Sequence, residues 1–421
     1  MASKARDLNP FHFSGPLPPE EMIDRDRETD DLLALALGGH SFRLMGPRRY
    51  GKTTLLRRVL EVAERDGMAT VLVNLQDVLS IAEIVVRIER GYDRLKGPIR
   101  RHVENLLRAW NVGLALGGGG FTATLQRNPH VDAESVLLRL LELPAALFDR
   151  DGTTSLIVFD EIQDVLAVPG ADGKIRSVIQ HQARAATYAF AGSAPGVMEQ
   201  LFADPRRPLL DQAVPRNLAP LPLPDVADYV VQRFRRTGRN VGSALAPMLE
   251  LTRGHPMRSM MLAHYLWERT ASGTTADEGT WIAAQDQAAA DSAQLMQAIW
   301  RALSTNERRV ARALAVASTP LHSQQTAAAV GIKRSSIGKA LEGLLSKADA
   351  IDAGDAPRLT DPIFELWLQR RGLTPTGAGD EAACGLEPSR TARRHPAGLA
   401  GRFASSGMAR RLLEDRHREP R

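Results

Sequence analysis

The sequence is 421 residues long, 43% apolar and 24% charged, the balance of a globular chain with room for two or three domains of about 100–200 residues. Those proportions exclude a fully disordered chain, a collagen-like repeat and a disulfide scaffold. The lone cysteine, Cys384, has no partner within the chain, which points to a reducing compartment. The formal net charge is +5, but residues 374–421 hold nine arginines against six acids, so the body is near neutral and offers no broad electrostatic footprint for nucleic acid.

Residues 1–20 are expected to form an extended segment, because Pro10, Pro16, Pro18 and Pro19 block regular helix. The first ten residues carry charges but no apolar stretch, and no apolar run approaches the roughly 18 residues that cross a bilayer. No secretory signal and no membrane partner are therefore expected, and a cytoplasmic location is. Leu32, Leu33, Leu35 and Leu37 mark a helix over 26–37, leading to a short strand over 41–45. Gly46-Pro47-Arg48-Arg49-Tyr50-Gly51-Lys52-Thr53-Thr54 follows, then a helical pattern through Asp66 that Gly67 is placed to end. Residues 71–73 read as a buried strand, and 80–150 as mainly helical with a break at the glycine run 117–120, which no helix would keep.

Residues 155–159 form a continuous apolar strand ending in Asp160-Glu161, and 187–191 another ending in Gly192-Ser193. Strands alternating with helices predict an α/β fold with a parallel sheet covered on both faces. From about Pro224 to about Leu303 the apolar spacing is helical. Residues 304–371 predict a compact helical unit, with helices over 306–316, 324–330 and 335–348 and a short hairpin near 351–359. Beyond Leu373 the chain lacks periodicity and reads as a disordered tail. No internal repeat is present.

Gly46-x4-Gly51-Lys52-Thr53, between a strand and a helix, fits the phosphate-binding loop. Its glycines let backbone N–H groups turn inward around phosphate oxygens, and the next helix points its positive end at the same anion. Lys52 would reach the outer phosphates and the Thr53 hydroxyl would help hold Mg²⁺. An acid at the end of a buried strand should complete the site, and Asp160 supplies it as a Mg²⁺ holder. Glu161 beside it would orient and polarise the attacking water. Ser193, just past the next strand, lies where a sensor of the γ-phosphate belongs, although an ordinary loop serine fits the same position. No Asn-Lys-x-Asp run that would read guanine occurs, nor a Leu-Ser-Gly-Gly-Gln signature, so ATP is favoured by elimination.

Together these residues resemble the archaeal-type ATPases, within the AAA+/STAND group of P-loop NTPases. The resemblance spans about residues 9–371. It is carried by Asn9-Pro10-Phe11, Met22-Ile23-Asp24-Arg25-Asp26, the phosphate loop, Phe159-Asp160-Glu161, Ala191-Gly192-Ser193, Gly254-His255-Pro256, and the closing Asp361-Pro362-Ile363-Phe364-Glu365-Leu366-Trp367-Leu368. It implies an ASCE-type sheet with the acid-bearing strand beside the loop strand, a helical lid and a C-terminal winged helix. The division expected is an extended segment over 1–20, a P-loop ATPase core over 21–222, a lid over 223–303, a winged-helix-like domain over 304–373 and a basic tail over 374–421. It also implies Arg25 as a contact near the base, and His255 and Pro256 in nucleotide sensing. Asp24 stands where the family usually has glycine. Arg206 or Arg207 is either a finger acting on a neighbouring copy's nucleotide, in a homo-oligomer, or a solvated surface charge.

Within 304–371, Ile337, Leu341, Leu344 and Leu345 form one apolar stripe. Lys333, Arg334 and Lys339 cluster at the start of that helix, where a recognition helix would meet DNA. Asp352 and Asp355 in the possible wing would repel phosphates, so a protein partner is an equal competitor. The function expected is a Mg²⁺-ATP-hydrolysing switch, slow in turnover, coupled to lid and winged helix. Its rivals are a DNA-binding regulator in which ATP mainly orders the fold, and a partner-recruiting ATPase of a mobile-element or defence system.

Overall fold

The computed structural model describes residues 8–15, 17–109, 132–317, 319–352 and 356–371. The glycine run 117–120, Asp355, the tail 374–421 and Cys384 lie outside the described residues. The chain divides into two compact units: Gly15–Ala219 with Leu345–Asp349, and the described residues of 1–14, 220–344 and 350–421.

The first unit is built on a five-stranded parallel sheet: β1 (Phe42–Met45), β2 (Ala69–Asn74), β3 (Ser155–Asp160), β4 (Ala186–Gly192) and β5 (Val214–Asn217). Its helices are α1 (Asp26–Leu37), α2 (Lys52–Arg65), α3 (Ile81–Tyr92), α4 (Gly97–Ala109), α5 (Ala133–Asp151), α6 (Ala171–Ile179) and α7 (Pro195–Phe202). Alternate residues of β3 serve opposite faces. Leu156 and Val158 pack with Leu55, Leu56 and Val59 of α2, while Ile157 and Phe159 join the core of Ile84, Val85, Leu137 and Leu140 from α3 and α5. Period-two side chains buried on both sides are what make β3 read as an unbroken apolar run. On the second face Phe159 stacks with Tyr188 and Phe190, ring centroids 6.2 and 6.0 Å away.

The strand order is β2-β3-β4-β1-β5. This is the ASCE-type P-loop NTPase sheet, but it corrects one expectation: the acid-bearing strand β3 is not beside the loop strand β1. The chain leaving β3 passes through α6 and returns as β4 between the two, pairing Phe159 with Phe190 on one side and Met45 with Gly192 on the other. That register levels the ends of β1, β3 and β4 along one edge of the sheet, the edge where ligands of open parallel sheets sit.

Strand β5 had no signal in the sequence. Among the described residues it pairs only with β1; it holds Pro215 and is half-exposed along its length, the conditions under which an edge strand tolerates proline. Residues 8–15 and 17–21 hold no α-helix or strand, and Pro19–Glu21 form a single 3₁₀ turn.

The second unit comprises α8 (Leu223–Arg236), α9 (Leu245–Thr252), α10 (Pro256–Arg269), α11 (Glu278–Ala302), α12 (Thr305–Val316), α13 (Gln324–Val330), α14 (Arg334–Ser346), the antiparallel hairpin β6 (Ala350–Asp352) and β7 (Pro357–Leu359), and α15 (Pro362–Arg371). Three helices followed by a hairpin give the order of a winged helix. On α14 the fully buried residues are Ile337, Ala340 and Leu344. Leu341 and Leu345, expected in the stripe, are only half-buried.

Candidate functional site

The loop after β1 is shaped by two left-handed residues, Arg49 at φ 66° and Gly51 at φ 88°. Gly46 lies so close to the chain after β5 that a Cβ there would meet Leu218 Cβ at 3.1 Å. The loop then feeds directly into α2, whose first residue is Lys52. Lys52 is buried, and its Nζ donates to the carbonyls of Gly46 at 2.7 Å and Pro47 at 3.0 Å. Burial lowers its pKa, and Glu161 and Asp160 oppose that shift. Tyr50 and Thr54 are buried, while Arg48 and Arg49 are exposed.

Thr53 Oγ1 donates to Asp160 Oδ2 at 2.7 Å, although the two residues belong to α2 and to a strand two places away in the sheet. Burial pushes the Asp160 carboxyl above its ordinary range, against the hydrogen bond from Thr53. A hydroxyl and a carboxylate at this spacing are hard oxygen donors, the chemistry that suits Mg²⁺ when other positions go to water and phosphate. The residues present therefore fit the cation that the motif implies.

Glu161 follows at φ 54°, a left-handed conformation that costs a non-glycine residue about 1–2 kcal/mol. Its Oε2 accepts from Ser193 Oγ at 2.8 Å and from Gln163 Nε2 at 2.5 Å. Ser193 is buried just past β4 and itself accepts from Arg48 Nε at 3.4 Å. The phosphate loop, Asp160, Glu161 and Ser193, named separately in the sequence, thus form one connected polar group on the sheet edge. Gln163 belongs to it too, and no motif in the sequence marks it.

Other candidates lie apart from this group. Arg25 is buried and spends its guanidinium on Glu28 and on the carbonyl of Ala219, each at 2.5 Å. Asp24 and Arg25 both have positive φ, 54° and 74°, which explains the usual preference for glycine at position 24 and why an aspartate is tolerated there. Arg206 is exposed and bonds Asp204 at 2.9 and 3.0 Å, and Arg207 bonds Asp172 at 3.3 Å.

In the second unit, Gly254-His255-Pro256 forms the start of α10. His255 is the N-cap, its Nδ1 accepting from Arg258 N–H at 3.4 Å, and Pro256 is the first helical residue. A Cβ on Gly254 would lie 2.1 Å from the Leu221 carbonyl oxygen, so only glycine fits. The closing segment meets this element through a pair that sequence reasoning missed: buried Arg258 donates to Asp361 through Nε at 2.9 and 3.1 Å and through Nη2 at 2.5 Å. Lys333, Arg334 and Lys339 are exposed at the start of α14.

No family model and no curated protein sequence matches the chain. Among solved structures, a Walker-type ATPase of Pyrococcus abyssi is similar at 17% identity and a TM-score of 0.61, over 85% of this chain and 99% of that one. The ORC2 protein of Aeropyrum pernix, in complexes with ADPNP and ADP, is similar at 15% identity and a TM-score of 0.52, over 85% of this chain and 97% of that one. These likenesses show the P-loop NTPase fold, in agreement with the resemblance read from the motifs.

Proposed function

We propose that this chain is a Mg²⁺-dependent ATP-binding and ATP-hydrolysing switch protein of the archaeal-type ATPase kind. The observation that carries the reading is the Thr53–Asp160 hydrogen bond at 2.7 Å beside Glu161 and Ser193. It joins a phosphate loop to a cation-holding acid and a base. That the ORC2 protein was solved with ADPNP and ADP supports an adenine nucleotide as the ligand.

In this reading the backbone N–H groups of Gly46 and of Arg48 through Thr54 wrap the phosphates, Pro47 having none to donate, and Lys52 trades its carbonyl contacts for phosphate oxygens. Thr53 and Asp160 hold Mg²⁺, which neutralises phosphate charge when bound. Glu161 accepts a proton from water as that water attacks the γ-phosphorus and ADP leaves. Ser193, between loop and base, reports on the γ-phosphate. We assign residues 21–222 as ATPase core, 223–303 as lid and 304–373 as winged helix, with Arg25 near the base and His255 and Pro256 sensing nucleotide from the lid. Arg206 and Arg207 are the candidates for a finger supplied to a second copy.

Lys333, Arg334 and Lys339, exposed at the leading end of α14, are the candidate contacts for DNA as a further ligand of the winged helix, with a protein partner as an equal competitor. Among the described residues no helix is long and apolar enough to cross a membrane.

Calorimetric titration of ATP into the wild type and Lys52→Ala tests the central claim. Loss of the fixed cation from a site built around phosphate should abolish binding or weaken it strongly. Indistinguishable affinities would end the phosphate-loop assignment.

A further inference from the structure

We propose that Gln163 is a positioning residue for Glu161, tying down one carboxylate oxygen so that the other faces the attacking water; the inference rests on the reading of Glu161 as the base.

Both donors on Glu161, Gln163 Nε2 and Ser193 Oγ, converge on Oε2. Two donors on one oxygen fix the carboxylate's plane and leave the lone pairs of Oε1 as the basic ones. Ser193 also lies within reach of Arg48 on the loop, so its hydroxyl is the donor that nucleotide can draw away. Gln163 has no such competing duty. It sits in the 3₁₀ turn Ile162–Ala167 that Glu161 caps, and it is 6% exposed.

Two features argue against a packing role for this side chain. Its Oε1 is buried with no hydrogen-bond partner, an arrangement that costs stability and that a leucine would avoid. In addition, the fold makes room for it: a Cβ on Gly192 would fall 2.6 Å from Gln163 Oε1 and 2.3 Å from Met198 Sδ. Glycine at 192 thus opens the slot through which the amide reaches Glu161. Gly192 before Ser193 and Gln163 two residues after Glu161 act as one device.

The test uses the full chain with Mg²⁺-ATP. Gln163→Met keeps the length and removes the donor. ATP affinity by calorimetry should stay within about twofold. The single-turnover rate should fall about 10²-fold, the scale expected when a reacting group is misplaced by about 1 Å. Adding Gln163→Met to Glu161→Gln should cause no further fall, because the residue acts only through the carboxylate. An unchanged or faster rate in Gln163→Met would overturn the proposal, and so would losses that multiply in the double variant. Gln163→Leu supplies the same comparison if the methionine variant melts early. Should Glu161→Gln itself turn over normally, the base assignment fails rather than the positioning argument alone.

Discussion

Arg258 is 2% exposed and, among the described residues, the largest of the fully buried side chains. Its guanidinium forms three hydrogen bonds with Asp361, at 2.5 to 3.1 Å, and one with Ser292 Oγ at 3.1 Å. It therefore joins α10, α11 and the residue that opens α15, where Asp361 also accepts from Ile363 N–H at 2.9 Å. Arg258→Met would keep the apolar stem and strand the carboxylate. Breaking a buried pair from one side costs about 3–5 kcal/mol. Asp361 keeps its backbone donors and is 19% exposed, so the lower end applies, about 3 kcal/mol or about 10² in the folding equilibrium. Adding Asp361→Asn removes the stranded charge and keeps the cap, and should recover part of that loss. Burial works against the charge on Asp361, yet Arg258 holds its carboxyl below the usual range. That contribution is present above the unfolded value of about 3.9 and is lost as pH falls through the native value. The gap between wild type and Arg258→Met should therefore be full at pH 7 and narrow below about pH 4. Urea unfolding followed by tryptophan fluorescence reports mainly on this unit, since Trp267, Trp281, Trp300 and Trp367, four of the five tryptophans, lie in it. A loss under about 1 kcal/mol at pH 7, or a gap that stays constant into acid, would refute the reasoning.

Glu161→Gln should leave ATP binding intact while single-turnover hydrolysis drops about 10²–10⁴-fold; an unimpaired rate would move the base elsewhere. Replacing Lys333, Arg334 and Lys339 together by alanine should leave hydrolysis unchanged and weaken DNA binding, each lost phosphate contact lowering the salt slope by about 0.9. Anisotropy titrations at two salt concentrations, with ATP and without, measure it. No DNA affinity at low salt in either state would favour a protein partner.

Legibility in the sequence followed how local each signal was. Thr53 and Asp160 are 107 residues apart, yet each sits in a short pattern whose geometry is known, a loop entering a helix and an apolar strand ending in acid. Their meeting could be anticipated without any view of the sheet. Arg258 and Asp361 are 103 residues apart; Asp361 opens the closing segment quoted for the resemblance, but nothing in that segment names its partner and Arg258 sits in no motif. An arginine early in an amphipathic helix reads as surface, and only packing of α10 against the chain before α15 buries it. Strand β5 was hidden because an edge strand with one neighbour need not be apolar. The position of β3 was misjudged because adjacency in a parallel sheet is decided by crossover connections, which local sequence does not encode.

That misplaced strand bears on the chemistry. If β3 lay directly beside β1, the loop and the acidic pair would share an edge with nothing between them. With β4 inserted, Met45 pairs with Gly192 and Phe159 with Phe190, so the residue after β4 falls between the residues after β1 and β3. That residue is Ser193, 3.4 Å from Arg48 on the loop side and 2.8 Å from Glu161 on the acidic side. A hydroxyl held there has two anionic claimants under the proposed function, the nucleotide's terminal phosphate and the base. It can donate to only one at a time. Strand order thus supplies a physical route by which phosphate occupancy would change the hold on Glu161, with Gln163 as the donor that remains.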